Sequence, residues 1–150
     1  MRDALIAEAM AAVRENQEMV QRFDEAAAAA MGINLTDGRV LDQLDRRGPT
    51  SPSDLARAAG LTTGAMTTLL DRLERLGYAR RTPHPKDRRR IVVELTAPAK
   101  QSITAIYGPL ATDSAGIFNR CTDAQLRFLR DVLRSGSDVL RTHLERLTRG

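Results

Sequence analysis

Residues Leu61 to Thr96 read LTTGAMTTLLDRLERLGYARRTPHPKDRRRIVVELT, and this stretch decides the fold. Met66, Leu69, Leu70, Leu73 and Leu76 return at helical spacing and predict one packed face, leaving Gly64, Thr67, Thr68, Asp71 and Arg75 on the opposite side. Gly77 predicts the stop of that helix. Beyond it Tyr78 to Thr82 runs outward, Pro83-His84-Pro85-Lys86-Asp87 forms a tip, and Arg90 to Leu95 returns with Ile91, Val93 and Leu95 alternating inward, the pattern of a β-hairpin. A helix that presents small polar groups beside an arginine-tipped hairpin suits a nucleic-acid backbone.

Working toward the N-terminus, Leu61-Thr62 leads back to a short helix with Leu55, Ala56 and Ala59 inward and Gly60 at its end. Its start is marked by Ser51 as N-cap, Pro52 at the first helical position and Asp54 three residues after the cap. Two short helices joined by a glycine-containing turn form a helix-turn-helix, and small residues at Ala56, Ala59, Gly64 and Ala65 predict a close contact between them. Before them, a helix burying Val40, Leu41 and Leu44 stops at Gly48, and Thr36 is the expected cap. Residues 1 to about 31 read as one long helix with Leu5, Ile6, Met10, Val13, Val20 and Phe23 at three- and four-residue steps, ended by Gly32.

On the other side of the hairpin, Thr96 and Pro98 begin a helix containing Ile103, Ile106, Tyr107 and Leu110, which Gly108-Pro109 is expected to kink or interrupt. Cys121-Thr122-Asp123-Ala124-Gln125 supplies a capping box for a last helix with a seam of Leu126, Leu129, Leu133, Leu140, Leu144 and Leu147. The first helix has nothing before it to fold against, and the leucine seam has no partner left except that helix. Residues 1–34 and 97–150 are therefore expected to form a helical dimerisation region around a winged helix-turn-helix DNA-binding domain at 35–96. The fold class is mainly α with a small antiparallel β-hairpin wing.

Composition narrows the functional classes. Aromatics make up only 3% of the 150 residues and Trp is absent, so the core must be aliphatic. Between Arg80 and Arg90 six Lys/Arg stand against one Asp, a local +5 in a chain whose formal charge is +4, which leaves the remainder at −1. The basic character is confined to one place, as a phosphate-binding patch requires. One cysteine excludes an intramolecular disulfide framework, and no N-terminal apolar run reaches signal-peptide or membrane-spanning length; a cytoplasmic protein is expected. No nucleophile-base motif, metal-ligand spacing or glycine-rich phosphate loop is present, so neither an enzyme nor a cofactor is expected. His84 and His143 are far apart with no cysteine cluster between them and read as surface or structural residues. Cys121 precedes a helix start, where a thiolate is mildly favoured, yet a lone cysteine near an apolar helix reads as inert packing.

The segments LTDGRVLDQL, DLARAAGLTTGAMTTLLDRLERLGYARR and HPKDRRRIVVELTAPAK together resemble the MarR family of winged-helix transcriptional regulators, across essentially the whole chain. The wing is the most specific piece, with its Asp-Arg-Arg run followed by alternating apolar residues and Leu-Thr. The resemblance implies a homodimer on a pseudo-palindromic double-stranded operator, and release by a small, commonly phenolic effector or by cysteine oxidation. The sensing cysteine of such relatives lies in the N-terminal region, where this chain has none. Their ligand cleft lies where the terminal-helix layer meets the winged lobe, which here points to Phe23 and Met31. Where many relatives carry Asp-Pro at the wing tip, this chain has His84-Pro85.

The resulting expectation is a DNA-binding repressor. Gly64, Thr67, Thr68, Asp71 and Arg75 face the major groove with Thr63 and Arg72 at the margins, and Ser51 and Ser53 donate to phosphate. In the wing, Lys86, Arg88, Arg89 and Arg90 serve the minor groove and phosphates, Asp87 orients an arginine, and regular alternation points Arg88 and Arg90 to one side and Arg89 to the other. The alternative is a winged-helix protein-interaction module without sequence-specific DNA binding.

Overall fold

The structure, a computed structural model, describes residues 1–148. Among them the elements follow in the order α1 (Arg2–Ala30), α2 (Leu35–Arg47), α3 (Pro52–Ala59), α4 (Thr63–Arg75), β1 (Ala79–His84), β2 (Asp87–Leu95), α5 (Ala97–Phe118) and α6 (Asp123–Thr148). The chain divides into two units, Met1–Ile106 and Tyr107–Gly150. Among the described residues, no helix is long and apolar enough to cross a membrane.

In the first unit, Val40, Leu41 and Leu44 of α2 meet Leu55 and Ala56 of α3, Met66, Leu69, Leu70 and Leu73 of α4, and Val93 and Leu95 of β2 in one aliphatic core. The helices start where side chains can accept their first free N–H groups. Ser51 accepts from the Asp54 N–H and Thr62 from the Ala65 N–H. For α2 the cap is Asn34, not Thr36: its side chain accepts the Asp37 N–H at 2.9 Å, and Asp37 returns a bond to the Asn34 N–H at 3.4 Å. Only Asn34 has an acidic residue three positions on; the residue three beyond Thr36 is Arg39, which has no acceptor to return. Between α3 and α4, Gly60 takes the left-handed conformation at φ 65° and lets the Leu61 N–H reach back to the Ala56 carbonyl, reversing the chain in two residues.

Three packing expectations are corrected. Gly64 and Ala65 lie on the exposed side of α4, so the contact between α3 and α4 is made by Ala56 and the larger α4 side chains. Leu76 is 45% exposed because α4 ends at Arg75 and Leu76 already belongs to its C-cap. Ile91 is 44% exposed while Val93 and Leu95 are buried: it keeps their parity along β2, but the hairpin has by then projected past the core. On the opposite face, Val92 is buried too.

β1 and β2 are antiparallel, with Arg81 opposite Val93 and Pro83 opposite Ile91. Thr50, between α2 and α3, joins them through N–H···O bonds of 3.0 and 2.8 Å exchanged with Val93 and so anchors β2 from its other side. Past Pro83 the register breaks and His84 pairs with Asp87, leaving Arg88, Arg89 and Arg90 outside the ladder. Alternation therefore does not govern these three arginines. In α1 the apolar residues Leu5, Ile6, Met10, Val13 and Val20 are all exposed, and burial begins at Ala27.

In the second unit, α5 runs on through Pro109 to Phe118, so Gly108-Pro109 does not interrupt it. The next helix is capped as its sequence predicts, with the Thr122 N–H donating to Gln125 Oε1 at 2.8 Å and the Gln125 N–H to Thr122 Oγ1 at 3.3 Å. No residue of α6 is buried, and its leucines run from 37% exposure at Leu126 to 81% at Leu147. Cys121 is half-buried, with its thiol near the Ile117 carbonyl.

Candidate nucleic-acid interface

The core fixes which face α4 presents. Because Met66, Leu69, Leu70 and Leu73 are buried, Thr63, Gly64, Thr67, Thr68, Asp71 and Arg75 are left exposed on the other side. Thr67 returns its hydroxyl proton to the Thr63 carbonyl at 2.9 Å, so an oxygen acceptor and a methyl remain for a partner. Gly64 needs no glycine for packing: a Cβ there would meet nothing within 4 Å, and its backbone is ordinary helix. Arg75 lies along the helix with Nε 3.4 Å from the Asp71 carbonyl, and its guanidinium makes no ion pair among the described residues.

Arg72 has a partner within the fold. Its Nε donates to Asp37 Oδ2 at 2.8 Å and its Nη2 to Asp37 Oδ1, a bidentate pair with a carboxylate that is 0% exposed. Those hydrogen bonds raise the guanidinium above its ordinary pKa, against the opposing effect of burial. Arg72 thus ties α4 to the first turn of α2. The pair joins positions 35 apart in sequence, and no local pattern announces it.

Ser51 is also committed inward. Its hydroxyl donates to Asp54 Oδ2 at 2.6 Å and accepts the Asp54 N–H at 3.2 Å, leaving Ser53, 3.3 Å from it, as the freer hydroxyl. The Ser51 hydrogen bond, with Arg57 beside it and the charge of Arg90, holds the Asp54 carboxyl below its ordinary pKa. A carboxylate now occupies the start of α3, where a phosphate was expected to bind, which disfavours a second anion there.

The wing's basic patch is smaller than its sequence. Arg80 is paired with its cross-strand neighbour Glu94 at 2.8 Å, and Arg81 is bonded to Asp71 and Glu74 of α4. Lys86, Arg88, Arg89 and Arg90 are exposed and make no ion pair among the described residues. Asp87 does not pair with a guanidinium; its Oδ1 accepts the Arg89 backbone N–H at 3.1 Å. His84 Nδ1 likewise accepts the Lys86 N–H at 3.1 Å, so this histidine closes the tip turn as an aspartate would. The result is a turn held by two side-chain acceptors, with four cations projecting from it.

Neither residue expected to line an effector cleft does so in the groove that this unit shows. Met31 is in the core, its carbonyl accepting from the Tyr78 hydroxyl at 3.0 Å, and Phe23 is half-buried. The groove, of about 270 Å³, lies between α1 and α2 and is lined by Asn16, Gln17, Val20, Gln21, Asp24, Leu35 and Arg39.

Comparison with known proteins adds the family. Residues 31–90 match the MarR family. The chain is 34% identical over 125 residues to YcgE of Bacillus subtilis (strain 168), an uncharacterized HTH-type transcriptional regulator, covering 83% of this chain and 81% of that protein. Its fold matches the crystal structure of RV1404 from Mycobacterium tuberculosis, with a TM-score of 0.67 at 22% identity over 86% of this chain and 90% of that one. It also matches a point mutant of S. aureus MepR bound to an oligodeoxyribonucleotide, with a TM-score of 0.60 at 17% identity over 88% and 97%. A helix-turn-helix with a hairpin wing, joined to this degree of identity over four-fifths of both chains, makes the protein a member of the MarR family of winged-helix transcriptional regulators, and not an enzyme.

Proposed function

We propose that the chain is a homodimeric, ligand-responsive repressor that acts in the cytoplasm and binds a pseudo-palindromic double-stranded DNA site. The observation that carries this reading is the pairing of two surfaces in one unit: an α4 face of Thr63, Gly64, Thr67, Thr68 and Arg75, and a wing from which Lys86, Arg88, Arg89 and Arg90 project with no ion pair among the described residues. Uncharged hydroxyls, methyls and a glycine suit close contact with base edges, and unpaired cations suit phosphates and a narrow minor groove. Ser53 adds a hydroxyl near the start of α3. The oligodeoxyribonucleotide held by MepR, a structural relative, supports the same partner class.

Dimerisation through residues 1–34 and 97–150 is part of this reading. It is supported by the exposed apolar residues of α1 and, separately, by the exposed leucines of α6, more apolar surface than a soluble monomer ordinarily leaves open. A small effector, of which phenols are one class, is assigned to the groove between α1 and α2, where Val20 and Leu35 give an apolar wall and Arg39 a cation for an acidic group.

The test is selection of bound genomic fragments by the purified full chain, followed by titration of an enriched fragment across a salt series. Enrichment of a palindromic site is expected, with log affinity falling against log salt by about 0.9 per phosphate contacted. No enrichment, or binding indifferent to salt, would replace the DNA reading with the protein-interaction module.

A further inference from the structure

α4 carries two carboxylates beside the surface assigned to DNA: Asp71 on its exposed face and the half-buried Glu74 next to it. Unscreened, they would stand against phosphates. One side chain meets both: Arg81 of β1 places Nη1 2.8 Å from Asp71 Oδ1 and in contact with Glu74 Oε2, and its Nη2 lies 3.5 Å from the Thr67 carbonyl. Its backbone N–H donates to Glu74 Oε1 at 2.8 Å.

The sheet explains why this bond is open to Glu74. Val93 exchanges both of its backbone hydrogen bonds with Thr50, so the pair Arg81↔Val93 is a non-hydrogen-bonded one and the Arg81 N–H points away from β2. β1 is the free edge of the sheet, and Glu74 of α4 caps it there. Arg81 is only 29% exposed, walled by Glu74 on one side and the strand on the other, whereas Lys86 and Arg88 to Arg90 are exposed. A half-buried guanidinium that already serves two carboxylates has little left to offer a phosphate.

We propose that Arg81 is a positioning residue, which enables DNA binding by screening Asp71 and Glu74 on the recognition helix without itself contacting the nucleic acid. This rests on the DNA-binding reading above. The charge of the two carboxylates is then cancelled where phosphates must come close.

The experiment uses the full chain and a DNA fragment that the wild-type protein selects. Arg81→Gln should weaken binding roughly ten-fold or more, because like charges are then brought together at the interface. Adding Asp71→Asn and Glu74→Gln to that variant should return the affinity to near wild type. A direct phosphate contact or a merely structural role predicts no such rescue, and a triple variant as weak as Arg81→Gln overturns the proposal, as does an Arg81→Gln protein that binds like wild type. Should Arg81→Gln fail to fold, the pair Asp71→Asn and Glu74→Gln in the wild-type background decides: binding should tighten, since Arg81 is left with uncompensated charge, and weakened binding overturns the proposal. Failure of the wild-type chain to select any fragment is a separate result and counts against the DNA reading itself.

Discussion

At the scale of single residues, the outer face of α4 separates what the fold needs from what a partner needs. Gly64 has room for a side chain and an ordinary helical backbone, so nothing inside the molecule accounts for it. An exposed helical glycine gives up as much as about 1 kcal/mol relative to alanine. Gly64→Ala should therefore unfold at the same or higher urea concentration, yet bind operator DNA about ten-fold less tightly because a methyl intrudes where the helix backbone approaches the groove. Unchanged binding would make Gly64 incidental. Thr67 and Arg75 test base reading: each alanine variant should lose roughly 1–3 kcal/mol on the preferred site and shift which bases are preferred there. Equal losses on operator and random DNA, measured by competition, would show that these side chains hold phosphate only.

At the scale of elements, the two ion-pair systems of α4 differ in what they hold. Asp37 and Arg72 join α4 to α2, and with Asp37 fully buried the removal of its partner leaves a charge without compensation. Arg72→Leu should cost about 3–5 kcal/mol in urea unfolding, and its loss of DNA binding should follow the unfolded fraction. A stable Arg72→Leu protein that fails on DNA would restore Arg72 to the interface. In the wing, the register break frees Arg88, Arg89 and Arg90 from alternation, and each has its own surroundings: Asp87 holds the Arg89 backbone, while Arg90 is close enough to Asp54 for its charge to act there. Their alanine variants should accordingly differ. Loss of a phosphate contact lowers the salt slope by about one unit, two per symmetric dimer, on every sequence, whereas a groove-inserted arginine loses preference for A·T-rich flanks. Three variants with wild-type affinity and salt dependence would remove the wing from the interface.

At the scale of the whole molecule, each terminal region exposes apolar side chains that a monomer would leave in water. In α6, Leu133, Leu140, Leu144 and Leu147 are each more than half exposed. Deleting residues 134–150 should abolish the dimer and leave an aggregating or monomeric chain in sedimentation velocity. A monodisperse dimer of the truncated protein would place the subunit contact elsewhere.

The order of elements, the caps of α3 and α6, and the aliphatic faces of α2, α3 and α4 were determined by sequence alone, because caps and helical periodicity act over three or four residues, whereas the start of α2 at Asn34 and the continuity of α5 through Pro109 were not. The outer face of α4 was legible for the same reason: once its core side is known, the remainder follows. Tertiary structure alone decided which charges are left over. Arg72 went to Asp37; of the six cations counted between Arg80 and Arg90, two are paired within the fold, Arg80 with Glu94 and Arg81 with Asp71 and Glu74, which no count of the window reveals. It also decided where burial ends, at Ile91 and Leu76, and that Thr50 joins the sheet. Pairings of this kind depend on what the packed core brings within about 3 Å, a distance that residues far apart along the chain acquire only when the chain is folded.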